Sequence, residues 1–296
     1  MTTLEEKLAG WTGISSPTEQ DKQDRTERMI REAIEAHAAF EGYDIEVYVK
    51  GSYANKTNVR ADSDVDVAVK CNELMYYEEQ EPGVKPAGTP YTGIWTPSYL
   101  RSELKKALVA KFDDQVDDSG STAFKINSST ARVDADVVPC FNYRYYFASG
   151  GHLSGARVFK NDGSSLENYS QQQLDKGNAK DGRTNSDYKK VVRIMKRVEN
   201  LMVENDVHRA VPSFFMECLV YNCPDEIFRR STWTDAVKGV ISHVWDNLDG
   251  DEPTDNSERW VEANDVKYLF HSAQDWDRKD GRDFAQAAWS HLELDK

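Results

Sequence analysis

Hydrophobic and polar positions change period along this chain, and the changes mark where strands give way to helices. From Asp21 to Phe40, Met29, Ile30, Ile34 and Ala38 recur at helical spacing with charges on the other faces, which predicts an amphipathic helix. Asp44 to Lys50 alternates as a strand and runs into the pair Gly51-Ser52. Asp64 to Val69 alternates again. Between Glu78 and Trp95 the residues Pro82, Gly83, Pro86, Gly88, Pro90 and Gly93 predict a surface loop. Ser98 to Phe112 follows as a helix, with Pro97 near its start and Leu100, Leu104 and Leu108 on one face. Thr122 to Asn127 and Arg132 to Val138 read as strands of the same sheet, and Asp162-Gly163 as a hairpin turn between Ala156–Lys160 and the residues near Leu166. The polar run from Ser170 to Asp187 reads as a connection and sets a boundary between a lobe of residues 1–187 and a helical lobe of residues 188–296. In the second lobe Tyr188, Val191, Val192, Met195, Val198 and Met202 make one apolar stripe, while Trp245, Trp260, Trp276 and Trp289 are expected to pack between helices.

The candidate chemistry lies on the polar face of the strands. Asp64 and Asp66 alternate with Val65, Val67 and Val69, so both carboxylates leave one face while the valines enter the core. Paired carboxylates repel, and a strand gains nothing from them without a cation between them. A second acidic strand carries Asp134 and Asp136, and their spacing alone allows either to be a third ligand. Hard oxygen donors of this kind suit Mg²⁺, which leaves its remaining positions to water and phosphate oxygens. Three carboxylates behind a Gly-Ser turn describe a two-metal phosphoryl- or nucleotidyl-transfer site. Lys189, Arg193 and Lys196 recur on another stripe of the helix after Asp187, where in an acidic protein they suggest a clamp for a triphosphate.

Composition narrows the partners. The formal charge of −14 disfavours holding long nucleic acid through phosphate contacts, so no nucleic-acid activator is expected. No apolar run approaches membrane-spanning length, and Met1–Lys7 lacks the regions of a signal peptide. The cysteines Cys71, Cys140, Cys218 and Cys223 have no paired zinc-ligand spacing, and a reducing cytoplasm is the expected location.

With these residues in view, the chain resembles the DNA-polymerase-β-like nucleotidyltransferase superfamily, through Gly51-Ser52, Ser63-Asp64-Val65-Asp66-Val67 and the later Asp136-Val137-Val138-Pro139. Within it, Lys50-Gly51-Ser52-Tyr53 with Thr57, the segment Tyr188–Lys196 and Val211-Pro212-Ser213-Phe214-Phe215-Met216-Glu217 are similar to the bacterial cGAS/DncV-like nucleotidyltransferases of anti-phage signalling (CBASS). That resemblance implies an α+β, two-lobed fold: a mixed sheet with flanking helices, a C-terminal helical lobe completing the nucleotide pocket, and an N-terminal helix bracing both. It implies a metal-dependent enzyme that joins NTPs, ATP among them, into a cyclic di- or trinucleotide that activates a downstream effector. Two Mg²⁺ ions, replaceable by Mn²⁺, would be held by Asp64, Asp66 and Asp136; Gly51, Ser52, Lys196 and Ser213 would bind nucleotide. Enzymes that modify a protein or RNA, and non-catalytic nucleotide sensors of the same fold, are the alternatives.

Overall fold

The structure is a computed structural model and describes residues 2–59 and 64–295. Ser63, part of the strand motif, lies outside the described residues. The chain divides into two compact units: a sheet unit of Ser16–Ala54 and Asp62–Ser170, and a helical unit of Met1–Ser15, Asn55–Ala61 and Gln171–Lys296.

The chain opens with α1 (Leu4–Gly10), which belongs to the helical unit, and α2 (Pro17–Glu35), which belongs to the sheet unit. The second helix begins earlier than its apolar period indicates. Ser16 and Glu19 form a reciprocal capping box with Pro17 in the first turn, so the orphan N–H groups are satisfied before the apolar positions begin. Then come β1 (Ile45–Lys50), the single-turn α3 (Gly51–Asn55), β2 (Val65–Glu79) and α4 (Pro97–Phe112), the last capped by Thr96. Short strands β3 (Val116–Asp117) and β4 (Phe124–Ile126) lead to β5 (Ala135–Tyr146), β6 (His152–Phe159) and β7 (Ser165–Asn168).

The strands form one mixed sheet in the order β1-β2-β5-β4-β3, with β6 also paired to β5 and β7 paired to β6. β1 runs antiparallel to β2, and β2 parallel to β5, which the α4 crossover between them permits. The outer edge of β5 is divided. Residues 135–137 pair with β4 and residues 140–146 with β6, and Pro139 sits in the gap, where its missing N–H breaks no ladder on that edge. Val65, Val67, Val69, Val137 and Phe141 turn to one side and pack with Leu100, Leu104 and Leu108 of α4 and with Ile30 and Ile34 of α2. The opposite side carries the carboxylates.

The helical unit continues with α5 (Ser170–Arg183), α6 (Tyr188–Glu204), α7 (Ser213–Tyr221), α8 (Asp225–Phe228), α9 (Trp233–Asn247) and α10 (Arg278–His291). Its core gathers the α6 stripe, Tyr188 to Met202, with Phe215, Leu219, Val240, Phe284 and Leu8. The segment from Ser170 is thus a helix and not a connection, and the unit boundary falls at Ser170/Gln171, seventeen residues ahead of Asp187/Tyr188. Its buried positions are Gln173, Gly177 and Lys180: a helical period written in residues that carry no apolar signal. Trp276 stacks on Phe215 at 5.2 Å and Trp260 stacks on His243, so these two rings are packing residues, whereas Trp245 is 37% exposed with the Arg282 guanidinium over its ring. Among the described residues no helix is long and apolar enough to cross a membrane.

Phe215 is fully buried at the centre of the helical core. Phe215→Ala is expected to destabilise the helical unit by about 3–5 kcal/mol. The test is the urea midpoint of the transition followed by tryptophan fluorescence.

Candidate active site

The carboxylates owe their positions to strand register. Lys50 of β1 lies opposite Asp66 of β2, Asp66 opposite Asp136 of β5, and Asp136 opposite Lys125 of β4. Four neighbouring strands therefore present a row in the order lysine, aspartate, aspartate, lysine on one face of the sheet, adjacent members about 4.8 Å apart along the hydrogen-bonding direction. Asp64, immediately before β2, extends the acidic set two residues along the same face.

The lysines at the ends partly balance this charge. Lys50 Nζ is 3.7 Å from an Asp66 oxygen, and Lys125 Nζ is 3.9 Å from an Asp64 oxygen. These are long contacts, with about half of the Asp64 side chain exposed, and they leave the carboxylates short of positive charge. Burial lifts the Asp64 carboxyl above its ordinary value; Lys125 opposes the rise, and Asp134, Asp136 and Asp66 add to it. Burial also lifts Asp136, and the facing Asp66 carboxylate is the next contribution. Both groups are carboxylates whose charged form lacks full compensation, the electrostatic condition that a cation relieves. Among the described residues no three acidic, histidine or cysteine side chains already close around one point as a finished metal cage. Asp64, Asp66 and Asp136 form an open face of oxygen donors instead, and their chemistry fits a hard divalent cation that shares its coordination with phosphate oxygens.

Asp134 and Asp136 part company here. The Asp134 carboxylate accepts the Ser128 backbone N–H, and its own carbonyl accepts the Val65 N–H, so the residue joins the Ser128 loop to the start of β2. Asp136 stands in the row facing Asp66.

Gly51 is required twice over. Its φ of +65° lies in the left-handed region, and a Cβ built there would stand 2.1 Å from an Asp66 carboxylate oxygen. The sequence reading assigned this glycine to close approach by a phosphate; the structure shows the Asp66 side chain already packed against its Cα. Ser52 follows, half-buried in the single turn of α3. Tyr53 donates its hydroxyl to Asp24 of α2, which ties that turn to the sheet unit. Lys50 lay within the motif but was given no role, and Lys125 went unnoticed. Its signal is the alternation Phe124-Lys125-Ile126, with both apolar side chains buried and the lysine turned the other way.

In the helical unit, the basic stripe of α6 is buried. Lys189 donates to Asn178, and Arg193 donates to the Thr12 and Lys56 carbonyls. Both side chains are buried and bonded inside the unit, so the phosphate clamp expected from the spacing is not open at these two positions. The Lys196 ammonium, its side chain 4% exposed, lies 3.5 Å from Thr57 Oγ1 and 3.8 Å from Glu217. Ser213 is exposed as the first residue of α7; Pro212 occupies the cap position, and no side chain caps the helix.

Comparison with known proteins accords with this geometry. Residues 175–293 match the cGAS/DncV-like nucleotidyltransferase C-terminal helical domain. The chain is 33% identical to a cyclic dipyrimidine nucleotide synthase, CdnE, of Legionella pneumophila, with 98% of each chain covered. Among solved structures, the Elizabethkingia meningoseptica CdnE cyclic dinucleotide synthase with GTP and Apcpp has a TM-score of 0.80 at 26% identity, covering 97% of this chain and 98% of the other. The Rhodothermus marinus CdnE c-UMP-AMP synthase with Apcpp and Upnpp also gives a TM-score of 0.80 at 26% identity, with 96% and 94% covered. Sheet, helical unit and sequence agree over nearly the whole length: the chain belongs to the cGAS/DncV-like nucleotidyltransferases.

Proposed function

We propose that this protein joins NTPs, with release of pyrophosphate, into a cyclic oligonucleotide second messenger, and that the reaction depends on divalent metal. The observation that carries this reading is the row Lys50–Asp66–Asp136–Lys125 with Asp64 beside it: acidic oxygens in register on a rigid sheet and short of positive charge, with Asp64 and Asp136 raised in proton affinity by burial. The kinship with synthases named for cyclic dinucleotide products supports the cyclic outcome.

Asp64, Asp66 and Asp136 would hold the metal, taken as two Mg²⁺ ions with Mn²⁺ an effective substitute. Bound metal supplies charge neutralisation for the triphosphate and a lowered pKa for the attacking ribose hydroxyl. Asp136 accepts that hydroxyl proton, a role suited to a carboxylate whose affinity for protons is already raised by burial and by Asp66. Gly51 and Ser52 hold the β- and γ-phosphates through backbone N–H groups and the serine hydroxyl. Lys50 and Lys125 partly offset the carboxylate charge at the two ends of the row. In the helical unit the exposed Ser213 is the nucleotide contact, and Lys196 adds its charge from within the Glu217 pair.

ATP is one substrate in this reading, and the product serves anti-phage signalling through a downstream effector in the cytoplasm. The net charge of −14 supports activation without nucleic acid.

Incubation with the four labelled NTPs and Mg²⁺, followed by phosphatase, is expected to leave resistant label, because a cyclic product has no terminal phosphate. Full trimming of the label, or no product with Mg²⁺ or Mn²⁺, would refute the proposal. Asp136→Asn is expected to lower kcat by at least about 10²-fold, while Asp134→Asn keeps a larger share of activity. Equal losses in both would withdraw the assignment of Asp136. Gly51→Ala is expected to abolish turnover, because the new methyl must displace the Asp66 carboxylate. Steady-state rates alongside a circular dichroism melt would separate that effect from unfolding.

A further inference from the structure

Past the Gly-Ser turn the chain leaves the sheet unit, and its described residues 55–59 group with the helical unit. Gly51-Ser52 precede them and Asp64 follows them in the sheet unit. Their attachment is a set of buried polar contacts. Thr57 Oγ1 donates to Glu217 at 2.8 Å, and Gln173 Nε2 donates to the other Glu217 oxygen at 2.9 Å. The Lys196 ammonium stands 3.8 Å from the same carboxylate. One residue earlier, Arg193 holds the Lys56 carbonyl; one residue later, Asn58 Nδ2 donates to Ser15 at 2.9 Å. Thr57, Asn58, Glu217, Lys196, Gln173 and Arg193 are all less than a tenth exposed.

Lys56 has a φ of +56°, a conformation that a non-glycine residue keeps only where its surroundings impose it. The Arg193 bond to its carbonyl imposes it here. A buried carboxylate such as Glu217 is tolerable only when its oxygens are satisfied, and two of its partners, Gln173 and Lys196, belong to the helices α5 and α6. The third is Thr57. This burial therefore fastens the chain just after the Gly51-Ser52 turn to the interior of the helical unit.

We propose that Thr57, Glu217 and Arg193 are positioning residues for nucleotidyl transfer, anchoring the segment Lys56–Asn58 so that the Gly51-Ser52 turn just before it keeps its place. The inference rests on the nucleotidyltransferase reading for its kinetic consequence, but the anchor itself can be measured without activity. Thr57→Val keeps the shape of the side chain and removes the hydroxyl; Thr57→Ser restores it. In full-length Thr57→Val, amide exchange at Lys56, Thr57, Asn58 and Val59 is expected to rise about tenfold, the worth of one buried hydrogen bond, with exchange in α9 and α10 unchanged. The same variant is expected to lose about 10- to 100-fold in kcat, with KM for NTP within about twofold, and Thr57→Ser to recover most of both. Unchanged exchange in Thr57→Val, or a loss of activity that follows only a fall in global melting temperature and is not rescued by serine, would overturn the anchor. Absence of product from the wild-type chain would instead refute the nucleotidyl-transfer reading, and the exchange comparison would still decide the anchor.

Discussion

Everything at the candidate site depends on one constraint, the parallel pairing of β2 with β5 that sets Asp66 beside Asp136. Two carboxylates on adjacent strands repel, so this register costs stability unless something else fixes it. The valines fix it. Val65, Val67 and Ala135, Val137 interleave with those aspartates and are fully buried, and a slip of one residue would move them all to the opposite face and bring the aspartates into the core. Hydrophobic burial on one face thus holds an electrostatically unfavourable arrangement on the other. Lys50 and Lys125 at the ends of the row reduce the cost without removing it, and the remaining deficit of positive charge is the site's capacity for a cation and a polyphosphate.

The glycine and the proline near this row serve the same constraint. Gly51 admits the Asp66 carboxylate against its Cα, where any other residue would push it out of the row. Pro139 lies where β5 changes its partner from β4 to β6, so the strand that carries Asp136 is held from both sides despite lacking one donor. The helical unit follows a different logic. Its charged residues Lys189, Arg193, Lys196 and Glu217 are buried and bonded to one another, to backbone carbonyls or to the side chains of Asn178, Thr57 and Gln173, and they hold chain segments in place.

Much of this was legible in the residues. The strand pair bearing Asp64, Asp66 and Asp136, the Asp162-Gly163 hairpin, helix α4 and the apolar stripe of α6 were all visible as periodicity or turn chemistry. What escaped was written in polar residues. Helix α5 buries Gln173, Gly177 and Lys180, and hydropathy has no sensitivity to a buried face of that kind. The stripe Lys189, Arg193 and Lys196 was recognised as a stripe but read as facing outward, because a basic period on a helix gives no sign of the carbonyls and carboxylates that receive it. Asp134 and Asp136 lie on one face by spacing alone, and the Ser128 contact of the first and the register of the second opposite Asp66 distinguish them.

By itself the sequence determined which residues could do the chemistry and which family of folds they belong to, since alternation of valine and aspartate places the carboxylates together on one face wherever the strand runs. Tertiary structure decided what that alternation cannot carry: which strands lie side by side, which carboxylate faces which, and where the loop after Gly51-Ser52 is fastened. Those are long-range pairings, fixed by burial and hydrogen bonds between residues as distant in the chain as Thr57 and Glu217, and no local period records them.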